Sequence, residues 1–373
     1  MERKGRRQPA ADREVSGMDK VVVGMSGGVD SAVAALLLKR AGYEVVGVTL
    51  RTWEADGGES RCCDIDDARS TARQIGIEYC PVNCTADFHR YVAEPFAREY
   101  LRGVTPNPCI ECNRRVKWDK LMYYAKVVGA RYVATGHYAS PVKLDNGRYT
   151  LRKAAHAEKD QTYMLCRLTQ EQLAATLMPL GELPKGEVRQ IARDAGLDVA
   201  SKPDSQEICF VTDGSYADYI ESQAGPDGRT EGFFVDASGK VLGRHRGIAR
   251  YTVGQRKGLG IALGHPAYVT EIRPDSREVV LGGEEDLYHS TVLCRDTCFM
   301  SIPGLKEGET VRCTAKIRYG HAGAPAVIAA EEDGGVTVRF DRPVRAPAPG
   351  QSAVFYDEEE RIIGAGVIAG VRD

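Results

Sequence analysis

Three cysteines in this sequence have neighbours and spacing that suit thiol chemistry. Cys109 and Cys112 are two residues apart in the run TPNPCIECN at residues 105–113, and Cys209 stands alone in the polar stretch KPDSQEICF. A C-x-x-C spacing fits a redox pair or half of a metal site, and chance also produces it. The two prolines of the run break any preceding helix, and the next helix is predicted from Asn113. Both thiols therefore lie near a predicted helix N-terminus, which stabilises thiolate and raises reactivity.

A glycine-rich turn near the N-terminus could hold a phosphate. Residues 21–31 read VVVGMSGGVDS, in which a hydrophobic run typical of a buried parallel strand leads into a helix predicted at 32–40. Glycines at such a turn leave bare backbone N–H groups beside a helix N-terminus, where a phosphate can bind. The turn is neither G-x-x-x-x-G-K-[ST] nor the dinucleotide motif G-x-G-x-x-G. An ordinary βα turn is the alternative.

Two further strand ends carry candidate ligand contacts. The strand predicted at 43–50 ends on Leu50, which is either an adenine contact or a plain core leucine. A strand at 131–135 runs into Gly136 and His137, and polar groups at the carboxyl end of a parallel strand face the ligand crevice of an open α/β sheet. A lone histidine is more often structural than catalytic, but its place at a strand end favours function here.

The remaining elements divide the chain by composition. Helices are predicted at 65–76, 86–102 and 184–195, with a strand at 77–82. From Phe210 on, helical periodicity fades, and basic residues concentrate at 244–257, which suits phosphate binding or a solvated charged hairpin. From Leu287 to the end, alternating runs without helices predict a small barrel. The fold class is therefore multidomain, α/β followed by β.

Length and composition limit the cellular setting. With 373 residues, two or three domains are expected, and a net charge of −2 means that any RNA-binding face must be local. No run has the length of a membrane span, and residues 1–17 lack the apolar segment of a secretion signal, so they are predicted to be a disordered arm or to precede a start at Met18. The 11 cysteines then indicate a reducing cytoplasm. The adjacent Cys62 and Cys63 cannot be assigned a role.

Seven motifs together resemble the bacterial tRNA-specific 2-thiouridylases, in that family's order along the chain. They are GMSGGVDS, TPNPCIECN, ATGHYA, KDQTY, KPDSQEICF, YTVGQRKGLG and KIRYG. The S-G-G-x-D-S loop is similar to the pyrophosphate loop of the ATP pyrophosphatase superfamily. The family uses ATP to adenylate the C2 oxygen of uridine 34 at the tRNA wobble position, and a sulfur nucleophile then displaces AMP.

The resemblance implies three domains and two kinds of binding partner. The domains are a parallel-sheet pyrophosphatase-type N-terminal domain, a small central tRNA-binding domain and a C-terminal β-barrel. With the N-terminal arm, the predicted bounds are 1–17, 18–208, 209–283 and 284–373. The implied partners are the anticodon stem-loop of tRNA and either a persulfide sulfur-donor protein or a source of sulfide.

The resemblance also implies roles for single residues. The nucleophile falls on Cys112 and the persulfide-carrying cysteine on Cys209, which would form a disulfide after sulfur release. Asp30 would coordinate Mg²⁺. The implied ATP site comprises Gly24, Met25, Ser26, Gly27, Gly28, Val29, Asp30, Ser31, Leu50 and Gly136. The implied tRNA contacts are Asn107, Pro108, Cys109, His137, Lys159, Asp160, Gln161, Arg318, Tyr319 and Gln351.

One position departs from the family pattern. Some members have aspartate where this chain has Cys109, and that aspartate is proposed as a general acid/base. A C-x-x-C with a third, distant cysteine also matches the ligands of a [4Fe–4S] cluster with one open iron, so Cys109, Cys112 and Cys209 could be cluster ligands.

Two other function classes stay open at this point. One is an ATP-dependent amide or guanidine ligase of the same superfamily, which needs neither Cys112 nor Cys209. The other is a non-catalytic RNA-binding sulfur carrier, against which the intact phosphate loop argues.

Overall fold

The computed structural model describes residues 19–53, 64–203, 209–210, 216–223 and 231–372. The predicted arm at 1–17 lies outside the described residues, as do Cys62, Cys63 and residues 204–208 of the stretch before Cys209. The predicted α/β architecture followed by a β-barrel is confirmed. In the part of the chain that the structure describes, no helix is both long and apolar enough to cross a membrane.

The described residues form two compact units that do not follow the chain order. The first unit comprises residues up to 85, 114–162 and 168–203. The second comprises 86–113, 163–167 and the residues from 209 onwards. Two early segments therefore belong to the unit of the C-terminal half, and the predicted domain boundaries stay a prediction.

The first unit is built on a five-stranded parallel sheet with the strand order β3-β2-β1-β4-β7. Its central strand contains Val21, Val22 and Val23, all fully buried, as the uninterrupted hydrophobic run predicts. An antiparallel hairpin, β5–β6, accompanies the sheet. These strands are β1 (Lys20–Gly24), β2 (Glu44–Arg51), β3 (Glu78–Asn83), β4 (Tyr132–Thr135), β5 (Ala139–Lys143), β6 (Tyr149–Lys153) and β7 (Thr176–Leu177).

The second unit contains a four-stranded sheet and a closed six-stranded barrel. The sheet has the order β10-β11-β8-β9, and the barrel has the order β12-β15-β14-β13-β16-β17. Alternate barrel residues such as Val292, Ile328 and Val338 point into a buried core, as period-two patterning predicts. The strands are β8 (Gly232–Val235), β9 (Val241–His245), β10 (Tyr268–Arg273), β11 (Glu278–Gly282), β12 (Tyr288–Phe299), β13 (Thr310–Lys316), β14 (Ala324–Ala330), β15 (Val336–Arg345), β16 (Ser352–Tyr356) and β17 (Ile362–Arg372).

The helices are short, and several differ from the sequence prediction, which gave one continuous helix at 86–102. They are α1 (Val29–Arg40), α2 (Ile65–Ile75), α3 (Thr85–Phe88), α4 (Glu94–Leu101), α5 (Pro108–Glu111), α6 (Asp119–Val128), α7 (Thr162–Leu165), α8 (Gln170–Ala174), α9 (Lys185–Asp194) and α10 (Tyr216–Gln223), with π-helical turns at His89–Ala93 and Cys112–Trp118. The helix predicted from Asn113 begins at Pro108 instead. The prediction that helices fade out after Phe210 was wrong for α10.

Candidate active site

The loop between β1 and α1 is shaped by its own serines. The Ser26 N–H donates to Ser31 Oγ at 3.1 Å, and Ser31 Oγ donates to the Gly28 carbonyl at 3.1 Å. Gly27 has φ 76°, and a Cβ there would lie 2.5 Å from the Asp64 carbonyl oxygen. Both the backbone angle and this contact require glycine at position 27. The result is a compact strand–turn–helix loop with bare backbone, suited to a phosphate.

Three predicted ATP-site residues are core residues by their side chains. Met25 is 2 % exposed, Val29 is 3 % and Leu50 is 6 %. The Met25 carbonyl accepts the hydroxyl of Thr49 at 2.7 Å, which ties the loop to β2. If these residues contact ATP, their backbone makes the contact.

The carboxylate of Asp30, a residue of this loop, binds two side chains from other parts of the chain. Lys185 Nζ lies 2.7 Å from each carboxylate oxygen, and the Tyr138 hydroxyl donates to Oδ1 at 2.8 Å. The Lys185 side chain is 13 % exposed and that of Asp30 is 31 %, so the pair is partly shielded from water. The bonds to Lys185 and Tyr138 do not fit an open carboxylate for Mg²⁺, and we derive no step through that ion.

Gly136 lies directly against the start of α1. A Cβ at this position would be 2.6 Å from the Asp30 carbonyl carbon and 2.6 Å from the Ser31 nitrogen. Gly24 has milder limits, since its Cβ would meet a Leu121 methyl group at 3.2 Å. The strand end at β4 and the phosphate loop can approach this closely only because residue 136 has no side chain.

His137 is held as a neutral imidazole. Its Nδ1 lies 2.8 Å from the Thr135 hydroxyl, and its ring is 5.6 Å from that of Trp118. Burial, with a smaller contribution from the Lys117 ammonium, lowers the pKa of His137 to about 3. At neutral pH this residue can donate or accept one hydrogen bond, but it cannot neutralise a phosphate.

The KDQTY motif is folded onto the strand end that carries His137. Asp160 accepts the Ala154 N–H and the Thr162 hydroxyl, and Gln161 Oε1 accepts the Tyr138 N–H at 2.9 Å. Asp160 is 6 % exposed. Two of the three predicted tRNA contacts in this motif thus stabilise the turn, and Lys159 precedes them in a short 3₁₀ turn.

The C-x-x-C motif lies inside the first turns of its helix. The Asn107 side chain accepts the Cys109 N–H at 3.1 Å, and Pro108 occupies the first helical position, which together start α5. Cys109 is exposed and Cys112 is buried. The helix begins five residues earlier than predicted, because this cap and the N1 proline form a helix start. The prediction missed it because the two prolines were interpreted as helix breakers.

Met164 fixes both ends of that motif. Asn107 Nδ2 donates to Met164 Sδ at 3.5 Å, and Asn113 Nδ2 donates to the Met164 carbonyl at 2.9 Å. The motif is therefore fastened to the neighbouring segment Tyr163–Arg167, which belongs to the same unit.

Cys209 is anchored to the same unit through its neighbour. The Phe210 ring packs on Phe88 at 5.4 Å and on Phe96 at 5.3 Å, in the segment that leads to the C-x-x-C motif. All three candidate cysteines thus fall in one unit. Within the described ranges, no group of three or more Cys, His, Asp or Glu residues is arranged to hold a metal ion. The thiols as placed do not fit a [4Fe–4S] cluster, and we derive no step through one.

The barrel supports the loop before the cysteines. The Thr105 N–H donates to the Pro349 carbonyl at 2.8 Å, and Gln351 Nε2 donates to the Thr105 carbonyl at 2.8 Å. Gln351, a predicted tRNA contact, therefore holds the loop with its amide.

Arg318 and Tyr319 lie where barrel and four-stranded sheet residues meet. Arg318 Nη2 donates to the Val253 and Ala346 carbonyls, both at 2.7 Å. Tyr319 is 43 % exposed, and its ring is 6.1 Å from that of Tyr163. Of this pair of predicted tRNA contacts, Arg318 uses one guanidinium nitrogen to bind two backbone carbonyls, whereas the Tyr319 ring is exposed.

Sequence reasoning missed Lys185 and Tyr138 as partners of the phosphate loop. Tyr138 could have been found, because it follows the strand-end motif already selected. Lys185 stands 155 residues from Asp30, and no spacing rule connects two residues so far apart.

Three family models match successive parts of the chain. The one described as "tRNA methyl transferase HUP domain" matches residues 19–213. Those described as "tRNA methyl transferase PRC-barrel domain" and "Aminomethyltransferase beta-barrel domain" match residues 218–283 and 294–368.

Curated relatives align over nearly the whole chain. A protein named tRNA-specific 2-thiouridylase MnmA from Lachnoclostridium phytofermentans is 50 % identical over 359 residues, which cover 94 % of this chain and 99 % of that protein. One of the same name from Acetivibrio thermocellus is 50 % identical over 358 residues, with the same coverage. A solved 4-thiouridine synthetase–RNA complex with bound ATP is 18 % identical in sequence and covers 55 % of this chain and 50 % of that one. Its TM-score of 0.33 is too low to support an argument.

Proposed function

Because this chain belongs to the family of tRNA-specific 2-thiouridylases, we propose that it replaces the C2 oxygen of uridine 34 in tRNA by sulfur, at the expense of ATP. The placement of Cys112 and Cys209 in one unit with the barrel is the observation that carries this proposal. An adenylating enzyme without sulfur chemistry has no use for such thiols.

ATP activates an oxygen that is a poor leaving group. The uracil O2 attacks the α-phosphorus, the bond to pyrophosphate breaks, and the uracil gives up its N3 proton as the C2=N3 bond forms. The backbone of residues 26–31 binds the phosphates. The Lys185 ammonium, which is bonded to Asp30 of this loop, supplies positive charge near the phosphates.

Sulfur is then delivered by cysteine. A donor protein transfers a sulfane sulfur to Cys209, and the terminal sulfur attacks C2, so that AMP leaves with the C2–O2 electron pair. The Cys112 thiolate then attacks Cys209 Sγ, and the sulfur–sulfur bond breaks with its electron pair on the sulfur now bonded to C2. This leaves a Cys112–Cys209 disulfide for a thiol reductant to clear. N3 regains a proton in the product.

Variants at the three cysteines test this route. Cys112→Ser and Cys209→Ser should abolish thiolation, while Cys109→Ser should retain most of it, because a persulfide route needs two thiols. If a colourless Cys109→Ser protein is inactive while the wild type carries iron, the cluster route would replace this one.

The tRNA surface is proposed to lie on the second unit. Exposed Arg246, Arg256 and Lys257 flank the glycine-rich stretch before β10, and Tyr319 offers a ring on which a base can stack. Because its proposed substrate is tRNA, the protein is proposed to act in the cytoplasm.

A methyl transferase, as two of the family models are described, has no need of a phosphate loop and three cysteines. An assay for tRNA-dependent release of AMP and pyrophosphate separates these possibilities. We expect both products in equal amounts only when tRNA is present. Release without tRNA would favour a small-molecule ligase, and no release would favour a sulfur carrier or a methyl transferase.

A further inference from the structure

One buried arginine joins the C-x-x-C motif to the barrel. Arg167 has a side chain that is only 4 % exposed, and its Nη2 donates to Asp296 Oδ2 at 2.6 Å. On its other side, Arg167 Nε lies 3.8 Å from Glu111 Oε1. Glu111 stands between Cys109 and Cys112, directly before the proposed nucleophile, and Asp296 belongs to barrel strand β12.

We propose that Arg167 is a positioning residue for the cysteine chemistry, which holds the C-x-x-C motif against the barrel through Glu111 and Asp296. The proposal rests on the proposed function in taking these cysteines as the ones that deliver sulfur. Arginine suits this place because its guanidinium is planar, always charged and able to bind two carboxylates at once.

The burial of these three groups shows where the charge is held. The Glu111 side chain is 34 % exposed and that of Asp296 is 70 % exposed, so water reaches both carboxylates but scarcely reaches the cation. A buried cation has to remain near its counter-charges, whereas a carboxylate in water is free to move. Because burial and the bond to Asp296 fix the position of the Arg167 guanidinium, its charge draws the more exposed Glu111 carboxylate to a fixed place.

The neighbouring contacts make this restraint local to the cysteines. Met164, three residues before Arg167, already bonds Asn107 and Asn113 at the two ends of the motif. Neither bond reaches the middle of the motif, where Glu111 is. In the described part of the chain, Arg167 Nε has no hydrogen-bond partner of its own, so the Glu111 contact is purely electrostatic and can be removed without leaving a broken hydrogen bond.

Turnover is expected to depend on this restraint more than binding does. Displacing a reacting group by about 1 Å can lower a rate by about 100-fold. Arg167 contacts neither the phosphate loop residues nor the exposed basic residues of the second unit in any described bond, so ATP and tRNA affinities should be spared.

The test uses the full-length chain with Arg167→Met, Arg167→Lys, Glu111→Gln and the Arg167→Met/Glu111→Gln double variant. Methionine keeps an unbranched side chain and leaves two carboxylates that water can reach, so the fold should survive. Arg295→Met is the control. Arg295 lies beside Asp296 in β12, but it pairs with Asp333 and not with the motif. Hydrogen exchange of the amides at 109–112 and steady-state thiolation are both measured.

We expect Arg167→Met to speed amide exchange at 109–112 by about tenfold, with the loop at 26–31 unchanged. In the thiolation assay, kcat should fall by about 10- to 100-fold while KM for tRNA changes by less than about twofold. Glu111→Gln should act in the same direction, the double variant should be no worse than Arg167→Met, and lysine should restore part of the effect.

Unchanged exchange at 109–112 in Arg167→Met would overturn the proposal, as would a loss expressed in KM for tRNA or single effects that multiply in the double variant. The exchange measurement needs no turnover. A wild-type protein that fails to thiolate tRNA would therefore refute the proposed function while the restraint by Arg167 is still confirmed or refuted.

Discussion

At the residue scale, the phosphate loop depends on what is missing from position 136. Gly136 lets strand β4 end against the backbone of Asp30 and Ser31, with no room for a further carbon atom. Backbone atoms cannot retreat as a side chain can, so any Cβ at this position must push the loop away from its neighbour.

We therefore predict that Gly136→Ala weakens ATP binding by at least about tenfold, with a stability loss of about 1–3 kcal/mol. Isothermal titration with ATP and thermal unfolding measure the two effects. Gly186→Ala is the control, since a Cβ there meets nothing within 4 Å. Wild-type ATP affinity in Gly136→Ala would show that the loop at 26–31 is not the phosphate site.

The depressed pKa of His137 makes a second residue-scale prediction. An unfolded histidine titrates near 6.5, so between that value and about 3 the unfolded chain binds more protons than the folded chain at this position. This contribution to stability is fully present above pH 6.5 and is lost as the pH falls, by at most about 1.4 kcal/mol per pH unit.

Replacing His137 by Gln should flatten the fall in stability between pH 6.5 and 4.5. Urea unfolding at a series of pH values measures the slope, with His265→Gln, at an exposed position, as the control. An identical slope for wild type and His137→Gln would mean that the pKa of His137 is not depressed in the folded protein, and so contradict the neutral, buried imidazole.

At the element scale, the barrel holds the cysteine segment through one backbone hydrogen bond and one side-chain hydrogen bond. In the connection before β16, the Pro349 carbonyl accepts the Thr105 N–H, and the Gln351 side-chain amide donates to the Thr105 carbonyl. Thr105 is 9 % exposed, so its carbonyl cannot readily exchange this bond for one with water. The loop before Cys109 therefore needs the barrel for its shape.

Gln351→Ala should accordingly disturb the loop rather than RNA binding. We expect a cost of about 1–3 kcal/mol from the unpaired carbonyl, faster amide exchange at 105–113, and an unchanged dissociation constant for tRNA. Gln190→Ala on the surface of α9 is the control. Weaker tRNA binding with normal exchange would instead make Gln351 an RNA contact, as the family resemblance implies.

Elements with strong local patterns were predictable from sequence, and contacts between distant segments were not. The buried strand β1, the turn at residues 26–31 and the barrel follow from hydrophobic period and glycine placement. The start of α5 was missed because the Asn107 cap is a side-chain bond, which two nearby prolines obscured. Helix α10 is short and lies among glycine-rich segments, which weakens any periodic signal.

The candidate site shows the same division between local and distant information. The glycines and cysteines were selected by motif, but the Lys185–Asp30 pair and the Arg167 contacts join residues that no spacing relates. The Arg318 prediction illustrates the remaining problem. Sequence shows a guanidinium beside an aromatic ring, and it cannot show that two carbonyls already accept from that guanidinium.

At the scale of the whole molecule, the near-neutral net charge of −2 means that tRNA binding must come from local patches. Lys257 is exposed in the second unit, whereas Arg318 bonds backbone in the same unit. The two residues therefore serve as a matched pair.

Lys257→Ala should reduce the slope of log affinity against log salt concentration by about one, as expected for a lost phosphate contact. Arg318→Ala should lower thermal stability and leave that slope unchanged. Filter binding across a salt series measures both. A slope that changes in Arg318→Ala and not in Lys257→Ala would reverse these assignments.

In the proposed mechanism of this ATP-dependent tRNA thiolase, Cys112 is the nucleophile that breaks the persulfide on Cys209. The most direct measurement is mass spectrometry of the nucleosides of a tRNA with uridine 34, after incubation with the protein, ATP and a persulfide donor. We predict one 2-thiouridine at position 34 with wild type, and none with Cys112→Ser although ATP still binds. The absence of 2-thiouridine with wild type, or its formation by Cys112→Ser, would contradict it.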